Sequence, residues 1–208
     1  MVATTDGSRD DVIEKFCEKT RTAYFRGSEQ DVLDRYYQSA KSVLPDAVVR
    51  ITADCPLIDP IVIDTVARIF LESNCDYASN TIEPTYPDGL DTEIFSYKTL
   101  ERAWKEGRLR SEREHVTPYM WKHPQLFRLI NVKNSENLSK LRWTVDTAED
   151  LQFVKCVYEY LDVLPSFGMN EVLALLEEHP ELKGINAGFE RNEGYEKSLS
   201  QDSQTCSK

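Results

Sequence analysis

Two aspartates follow predicted strands at positions where a carboxylate could help to bind a ligand. Asp54 follows the β-branched run at 47–52, and Asp146 follows a second strand-like run at 141–145. Ligands in open α/β sheets bind beyond the carboxyl ends of the strands, where both aspartates are predicted to lie. Aspartate at such a position is also a common helix cap or turn residue. Either aspartate alone is therefore compatible with a purely structural role.

The side chain of His115 is a candidate general base. Imidazole has an ordinary pKa of about 6.5, so a neutral histidine can accept a proton near physiological pH. A lone histidine is nevertheless more often structural. His123 and His179 lie in no recognisable motif, and we interpret both as structural.

The elements that must position these residues alternate between strands and helices. β-branched or alternating apolar runs predict strands at 47–52, 77–79, 90–95, 127–132 and 141–145. The spacing of apolar residues predicts helices after Ser8, Ser28, Asp59 and Thr147, and Pro118 is expected to end or bend another helix. This alternation favours an α/β fold with a largely parallel sheet.

The length and hydrophobic content of the chain predict a single folded domain. A chain of 208 residues with 40% hydrophobic residues can bury one substantial core. Neither an internal repeat nor an interdomain linker is evident. We predict one domain over residues 1–199, followed by a disordered tail at 200–208.

Charge and cysteine usage exclude several classes of protein. A formal net charge of −11 disfavours binding to nucleic acids and to anionic membranes, because both surfaces would repel the molecule. The five cysteines are scattered and never spaced as CxxC, so they predict free thiols rather than disulfides or a zinc site. The sequence shows neither a signal-peptide pattern nor an apolar run long enough to cross a bilayer. We therefore expect a cytoplasmic protein.

Several segments resemble a known family of enzymes. The segments are ITADCPLIDP at 51–60, FRGS at 25–28, DVLDRY at 31–36, YPDGLDTE at 86–93, REHVTPY at 113–119, RWTVDT at 142–147 and RNEGY at 191–195. In this order, over nearly the whole chain, they resemble the spore-coat polysaccharide type of cytidylyltransferase, which is related to the synthetases of CMP-linked acidic sugars.

The resemblance implies a fold and a reaction. The expected fold is a three-layer α/β/α, Rossmann-like arrangement of the nucleotide-diphosphosugar-transferase type. CTP would be the donor, a sugar the acceptor, and Mg²⁺ or Mn²⁺ the cofactor, with a CMP-sugar and pyrophosphate as products. By the same resemblance, Asp54 and Asp146 would be catalytic residues that hold the metal.

Residues expected to bind the nucleotide lie in the first quarter of the chain. The resemblance assigns Arg26, Gly27 and Ser28 to the segment beside the nucleotide, and Arg35 could reach a phosphate. Each position has a structural alternative. Ser28 could simply cap the following helix, and Arg35 could pair with Asp31 one turn earlier.

Residues expected to bind the sugar are polar side chains on loops over the sheet. These candidates are Asp88, Asp91, Glu93, Glu114 and Arg142. His115 could accept a proton from the acceptor hydroxyl. Arg142 could point into the site or into a helix layer, whereas Trp143 is expected to pack in the core.

The N-terminal part of the family pattern has no counterpart here. Members normally begin with a strand and a glycine- and serine-containing loop that carries Arg and Lys, whereas residues 1–5 correspond to the end of a later strand. We therefore expect a fold without its first strand and loop, and no measurable CTP-dependent pyrophosphate release from this chain alone.

Three interpretations of this difference stay open. The chain could be a fragment or alternative-start product of a working enzyme, a non-catalytic binding or scaffold homologue, or a metal-dependent glycosyltransferase. Because relatives are generally dimers, a homodimer is also expected by analogy.

Overall fold

The computed structural model describes residues 1–164, 166–189 and 191–205. Over these residues the chain forms six strands and nine α-helices. The strands are β1 Val2–Thr5, β2 Tyr24–Gly27, β3 Ala47–Arg50, β4 Tyr77–Ser79, β5 Glu93–Ser96 and β6 Leu129–Asn131. The helices are α1 Asp11–Thr20, α2 Val32–Lys41, α3 Pro60–Ser73, α4 Tyr97–Glu106, α5 Arg110–His115, α6 Pro118–Trp121, α7 Ala148–Leu161, α8 Met169–Glu178 and α9 Glu193–Thr205.

The described residues cluster into two compact units, each built from separate stretches of chain. Unit 1 contains Met1–Val48, Phe95–Arg128 and the described residues from Asn192 onward, and unit 2 contains Val49–Ile94 and Leu129–Arg191. Two of the four boundaries fall within β3 and β5. This division into units does not test the prediction of one domain over residues 1–199.

In unit 1, β1 and β2 pair in parallel, with Val2 opposite Tyr24 and Thr5 opposite Gly27. The buried face of α2 carries Leu33 and Tyr37, and the Tyr37 ring stacks on Trp104 of α4 with centroids 4.0 Å apart. Such apolar contact along one helix face supplies most of the stability of a surface helix.

Unit 2 contains the largest described core cluster. A four-stranded sheet has the order β3-β5-β4-β6, and β4 pairs in parallel with β6. Helices α7 and α8 bury Phe153, Val157 and Leu176 in a cluster that also contains Trp143. Trp143 is 1% exposed, which confirms its predicted place in the core.

Asp59 joins the N-termini of two helices of unit 2. Its Oδ1 accepts the amide of Ile61 in the first turn of α3, and Oδ2 accepts the amide of Met169 at the start of α8, both at 2.7 Å. Asp59 is buried, so both amides depend on it instead of water. The predicted N-cap role of this residue is confirmed.

Replacing Asp59 by alanine is expected to destabilise the protein by about 2 to 3 kcal/mol, because two buried amides lose their acceptor. Urea unfolding followed by circular dichroism measures the loss. Asp64→Ala, an exposed site on the same helix, is the matched control and should change stability by less than about 0.5 kcal/mol. An equal effect of both substitutions would contradict the bridging role.

The structure confirms the α/β class and most predicted elements, with two corrections. The predicted strand at 141–145 is not formed, because this segment makes only an isolated bridge, from Arg142 to Asp88. Residues 200–205 belong to α9 and are not a disordered tail, since Ser198 and Asp202 of this helix are buried. The remainder of the predicted tail, 206–208, lies outside the described residues.

Four of the five cysteines lie within the described residues. Cys17, Cys55, Cys75 and Cys156 are free thiols, and Cys206 lies outside the described residues. In the described part of the chain, every helix is too short or too polar to cross a membrane.

Candidate functional site

Asp54 and the segment that leads into Asp146 are joined by hydrogen bonds. The carbonyl oxygen of Asp54 accepts the amide of Val145 at 2.8 Å and the hydroxyl of Thr144 at 3.2 Å. The two aspartates therefore lie close together in unit 2, although they are far apart in the sequence. Both are exposed to solvent.

The start of helix α7 fixes the backbone at Asp146. The Thr147 hydroxyl accepts the amide of Asp150, and the Asp150 carboxylate accepts the amides of Asp146 and Thr147 at 3.1 and 3.0 Å. This reciprocal arrangement is the capping box that the sequence predicts at these positions. It gives the residues around Asp146 a defined conformation at the helix N-terminus.

Arg142 lies among three carboxylates. Its Nη2 donates to Asp146 at 2.7 Å, its Nε and Nη2 donate to Asp150 at 2.9 Å, and Nη1 lies 3.4 Å from Asp88. Burial opposes the charge on Arg142, but its hydrogen bonds to Asp150 and Asp146 outweigh burial and raise the pKa of the guanidinium. The structure thus brings together three predicted site residues, namely Asp88, Arg142 and Asp146.

The loop that carries Asp88 and Asp91 is held against residues 141–143. Asp88 accepts the amide of Trp143 through its carbonyl, and its own amide donates to the carbonyl of Leu141 at 2.9 Å. Gly89 has a φ of +107°, and a Cβ there would lie 2.6 Å from the carbonyl carbon of Trp143. Only glycine fits this close approach, which sets where Asp88 and Asp91 lie.

Arg191 supports both aspartates of this loop. Its guanidinium pairs with Asp91, lies 3.7 Å from Asp88 and donates to the carbonyl of Tyr86 at 3.2 Å. Burial raises the pKa of Asp88, and Arg191 and Arg142 oppose this increase. The negative charges of Asp146 and Asp54 raise it further, as expected for carboxylates that share one region.

Asp91 is expected to titrate near pH 6. Burial raises its pKa to about 6, while the charge of Arg191 lowers it. Because the folded-state pKa exceeds the unfolded value, the stability that Asp91 contributes is full at low pH and is lost as pH rises through about 6. A ¹³C carboxyl NMR titration measures the midpoint.

Two variants identify the cause of that shift. Arg191→Gln should move the Asp91 midpoint upward, since it removes the opposing positive charge. Lys133→Gln, which removes a cation paired with exposed Glu83 in the same unit, should leave the midpoint unchanged. A midpoint near 4 in the unmodified protein would contradict the expectation.

Glu93 is buried in an ion pair with Arg50 and also accepts the hydroxyl of Tyr77. Its relative exposure is 4%. These described contacts are structural, and a sugar-binding role for Glu93 stays a prediction.

In unit 1, the side chain of Arg26 is occupied by contacts within its own unit. It donates to the carbonyls of Thr5 and Gly7 at 2.9 and 2.8 Å and pairs with Asp11 and Glu14. The hydrogen bond that Arg26 donates to Asp11 contributes most to the raised pKa of Arg26. The guanidinium thereby ties β2 to the turn after β1 and to α1, and its predicted nucleotide contact stays a prediction.

Ser28 and Arg35 surround the start of helix α2. The Ser28 hydroxyl accepts the amide of Asp31, and Asp31 rather than Ser28 is the N-cap. Arg35 donates through Nη1 to the carbonyl of Ser28 at 2.9 Å, whereas Asp31 pairs with Arg113. Gly27 ends β2 and lies against Arg35, since a Cβ there would approach its side chain at 3.4 Å.

Glu114 and His115 of unit 1 meet Ser198 on helix α9. Nε2 of His115 lies 3.1 Å from the Ser198 hydroxyl, which donates to Glu114 at 2.9 Å. The His115 ring also makes an edge contact with Tyr195. A base acting through Nε2 would first have to release Ser198, so the catalytic role of His115 stays a prediction.

Several residues that form these clusters are not among the site residues predicted from the sequence. Asp150, Asn186 and Arg191 complete the charged region of unit 2, and Ser198 completes the cluster in unit 1. The capping pattern from Thr147 to Asp150 pointed to a helix start, but nothing in it indicated a partner for Arg142. Asn186 and Ser198 lie in segments without any motif, so no sequence signal could have found them.

The exposed carboxylates of Asp54 and Asp146 fit a hard divalent cation. Mg²⁺ is commonly held by one or two carboxylates, with phosphate oxygens and waters completing its coordination. Within residues 1–164, 166–189 and 191–205, no group of three or more His, Cys, Asp or Glu is arranged to hold a metal ion. The residues that would hold such a cation are Asp54 and Asp146, with phosphate and water as its other ligands.

Comparisons with known proteins point to one family. Residues 1–196 match the family model described as cytidylyltransferase. The chain is similar to the uncharacterized protein MJ1063 of Methanocaldococcus jannaschii, with 36% identity over 191 residues that cover 90% of this chain and 76% of that protein. It is also similar to the spore coat polysaccharide biosynthesis protein SpsF of Bacillus subtilis, with 31% identity over 184 residues, 87% of this chain and 75% of SpsF.

A solved structure shares the fold. A cytidylyltransferase from Leptospira borgpetersenii serovar Hardjo-bovis superposes with a TM-score of 0.82 at 31% identity, and the match covers 90% of this chain and 79% of that one. The similarity therefore extends over most of both chains in sequence and in structure.

Proposed function

The chain belongs to the cytidylyltransferase family of nucleotidyltransferases, and from this premise we propose that its reaction is the transfer of CMP from CTP to a sugar acceptor, with no measurable pyrophosphate release expected from this chain alone. The acceptor would be a precursor of a surface polysaccharide, by analogy with the relative named for spore coat polysaccharide biosynthesis. Asp54 and Asp146 would hold Mg²⁺ or Mn²⁺ at the reacting phosphate.

One observation carries this proposal. The hydrogen bonds from Val145 and Thr144 to the carbonyl of Asp54 bring two distant, exposed aspartates to one place. Had these residues lain on opposite sides of unit 2, the reaction would have no centre. Their proximity supports a shared cation.

The residues of unit 2 suit in-line nucleotidyl transfer. In such a reaction, catalysis consists mainly of positioning the reactants and neutralising developing negative charge. Bound between the carboxylates and the phosphates, a divalent cation would supply that neutralisation as a Lewis acid. The side chains of Asp54 and Asp146 are exposed to solvent, where a phosphate could reach them.

The loop at 86–91 would bind the acceptor. Its aspartates Asp88 and Asp91 are fixed by Gly89 and by two arginines, so their oxygens are held in defined positions for sugar hydroxyls. A fixed polar group loses little entropy on binding and can select one arrangement of hydroxyls. In unit 1, nucleotide binding is proposed for Arg26, Gly27, Ser28 and Arg35, and a role as a base for His115.

Nucleotide selectivity and metal dependence test the proposal. Isothermal titration with CTP, CMP-sugar, UDP-sugar and GDP-sugar, each with and without Mg²⁺, should show binding of the cytidine compounds only, and tighter binding of CTP with the metal. Binding of UDP- or GDP-sugar in preference to CMP-sugar would favour a glycosyltransferase instead. Metal-independent binding of CMP-sugar without CTP binding would favour a non-catalytic homologue.

The proposed setting is a reducing compartment. Four described cysteines are free thiols, which supports the cytoplasm, where the nucleotide donor is also made. A homodimer is proposed by analogy with relatives, and sedimentation equilibrium tests it.

A further inference from the structure

We propose that Asp150 is a positioning residue that fixes the carboxylate of Asp146 through Arg142. This inference rests on the proposed function, because it concerns the cation site of which Asp146 is part. It gives Asp150 a role in addition to capping helix α7, and it gives a role to Asn186, which donates to Asp150.

Every described contact of Asp150 is directed at this region. The residue is fully buried. Its Oδ1 accepts Nε of Arg142 and Nδ2 of Asn186, each at 2.9 Å, and its Oδ2 accepts Nη2 of Arg142 at 2.9 Å. Two parallel bonds between a carboxylate and a guanidinium fix the plane of both groups. Arg142 therefore has a defined orientation instead of the freedom of a surface arginine.

Arg142 transmits this orientation to Asp146. The same Nη2 that binds Asp150 also donates to Oδ2 of Asp146 at 2.7 Å, while the Arg142 side chain is only 10% exposed. Asp146 itself is more than half exposed. An exposed carboxylate normally rotates freely. The hydrogen bond from the fixed guanidinium of Arg142 therefore restricts which oxygen of Asp146 faces the solvent.

Charge balance gives a second reason for Asp150. The Asp150 carboxylate accepts two hydrogen bonds from Arg142 and offsets the positive charge of the guanidinium in a region of low dielectric. Without this partner, only Asp88 and Asp146 would balance the charge of Arg142, which would then compete more strongly with an incoming cation at Asp146. Asp150 thus leaves Asp146 oriented and still attractive to a divalent ion.

Asn186 allows the positioning role to be separated from helix capping. The Asp150 carboxylate also caps α7, so substitutions of Asp150 itself could unfold the helix start. Asn186 donates to Oδ1 of Asp150 and to the carbonyl of Arg142, both at 2.9 Å, and does not touch the capped amides. Asn186→Ala should loosen Arg142 and leave the cap in place.

A matched control is Asn80→Ala. Asn80 is also a buried asparagine of unit 2, and its amide bonds the backbone of Leu90 and Thr92. This substitution removes a similar number of buried hydrogen bonds without touching Asp150 or Arg142. It therefore reports the cost of losing a buried asparagine as such.

The first measurement uses the protein without metal. The ¹⁵N heteronuclear NOE of the Arg142 Nε–H, identified by its loss in Arg142→Gln, reports the order of this side chain. We expect a high value in the unmodified protein and in Asn80→Ala, and a marked decrease in Asn186→Ala. A low value in the unmodified protein, or equal values in both variants, would overturn the proposal.

The second measurement is Mn²⁺ affinity, followed by electron paramagnetic resonance in the presence of CTP. Loss of hydrogen bonds behind a metal ligand typically weakens affinity about 10- to 100-fold, so Asn186→Ala should raise the Kd by about tenfold and Asn80→Ala by less than about twofold. An unchanged Kd in Asn186→Ala despite a loosened Arg142 would overturn the positioning role. If Asp146→Ala leaves Mn²⁺ binding intact, the proposed cation site itself fails, and the inference fails with it.

Discussion

Asp54→Ala is expected to weaken Mn²⁺ binding in the presence of CTP by at least about 100-fold. Loss of an outer hydrogen-bond partner alone typically costs about 10- to 100-fold, and Asp54 is proposed to be one of two carboxylates in direct contact with the cation. A 100-fold loss corresponds to about 2.7 kcal/mol of binding free energy. Mn²⁺ titration followed by electron paramagnetic resonance gives the affinity.

The control for this result must remove the same charge elsewhere. Asp162→Ala changes the net charge equally at an exposed position of unit 2 and should leave the affinity within about twofold. Asp146→Ala should match Asp54→Ala. If Asp54→Ala behaves like Asp162→Ala, the cation does not bind at Asp54.

Gly89→Ala should destabilise the protein by about 3 kcal/mol. A methyl group at this position would lie 2.6 to 2.8 Å from backbone atoms of Trp143 and Thr144, and φ of +107° is unfavourable for alanine. Backbone strain and overpacking each cost about 1 to 3 kcal/mol. Since backbone atoms cannot turn aside as a side chain can, the loop at 86–91 must shift. Urea unfolding measures the loss.

Gly184→Ala is the matched control within the same unit. No heavy atom lies within 4 Å of a Cβ built at Gly184, and its φ is not positive. This substitution should change stability by less than about 1 kcal/mol. A similar cost at both glycines would show that the close approach of Gly89 to Trp143 does not explain its effect.

The sequence predicted the elements around the site better than the contacts within it. The strand at 47–50, the capped start of α7 and the helix after Asp59 follow from local signals, namely β-branched runs and short polar side chains that bind free amides. The segment at 141–145 has the same local signals as a strand. Among the described residues it forms only an isolated bridge, between Arg142 and Asp88, because pairing also needs a partner backbone that local signals do not supply.

The partners of each charged side chain could not be predicted from the sequence. Helical spacing suggests that Arg35 could pair with Asp31 one turn earlier. In the structure, Asp31 pairs with Arg113, which is 82 residues away. Helical spacing shows which side chains share a face, but it carries no information about which distant helix covers that face. For the same reason, the sequence does not show that Asn186 contacts Asp150 or that Ser198 contacts His115.

The discontinuous make-up of unit 1 has a consequence during protein synthesis. Helix α9 packs on α5, where Asp202 accepts the amide of Ser111 across 91 residues of sequence. Until α9 has left the ribosome, α5 exposes to water the amide and hydroxyl of Ser111 that are buried in the folded protein. Long sequence separations slow folding and prolong the exposure of unfinished surfaces, so this unit reaches its native state only after translation has passed Asp202.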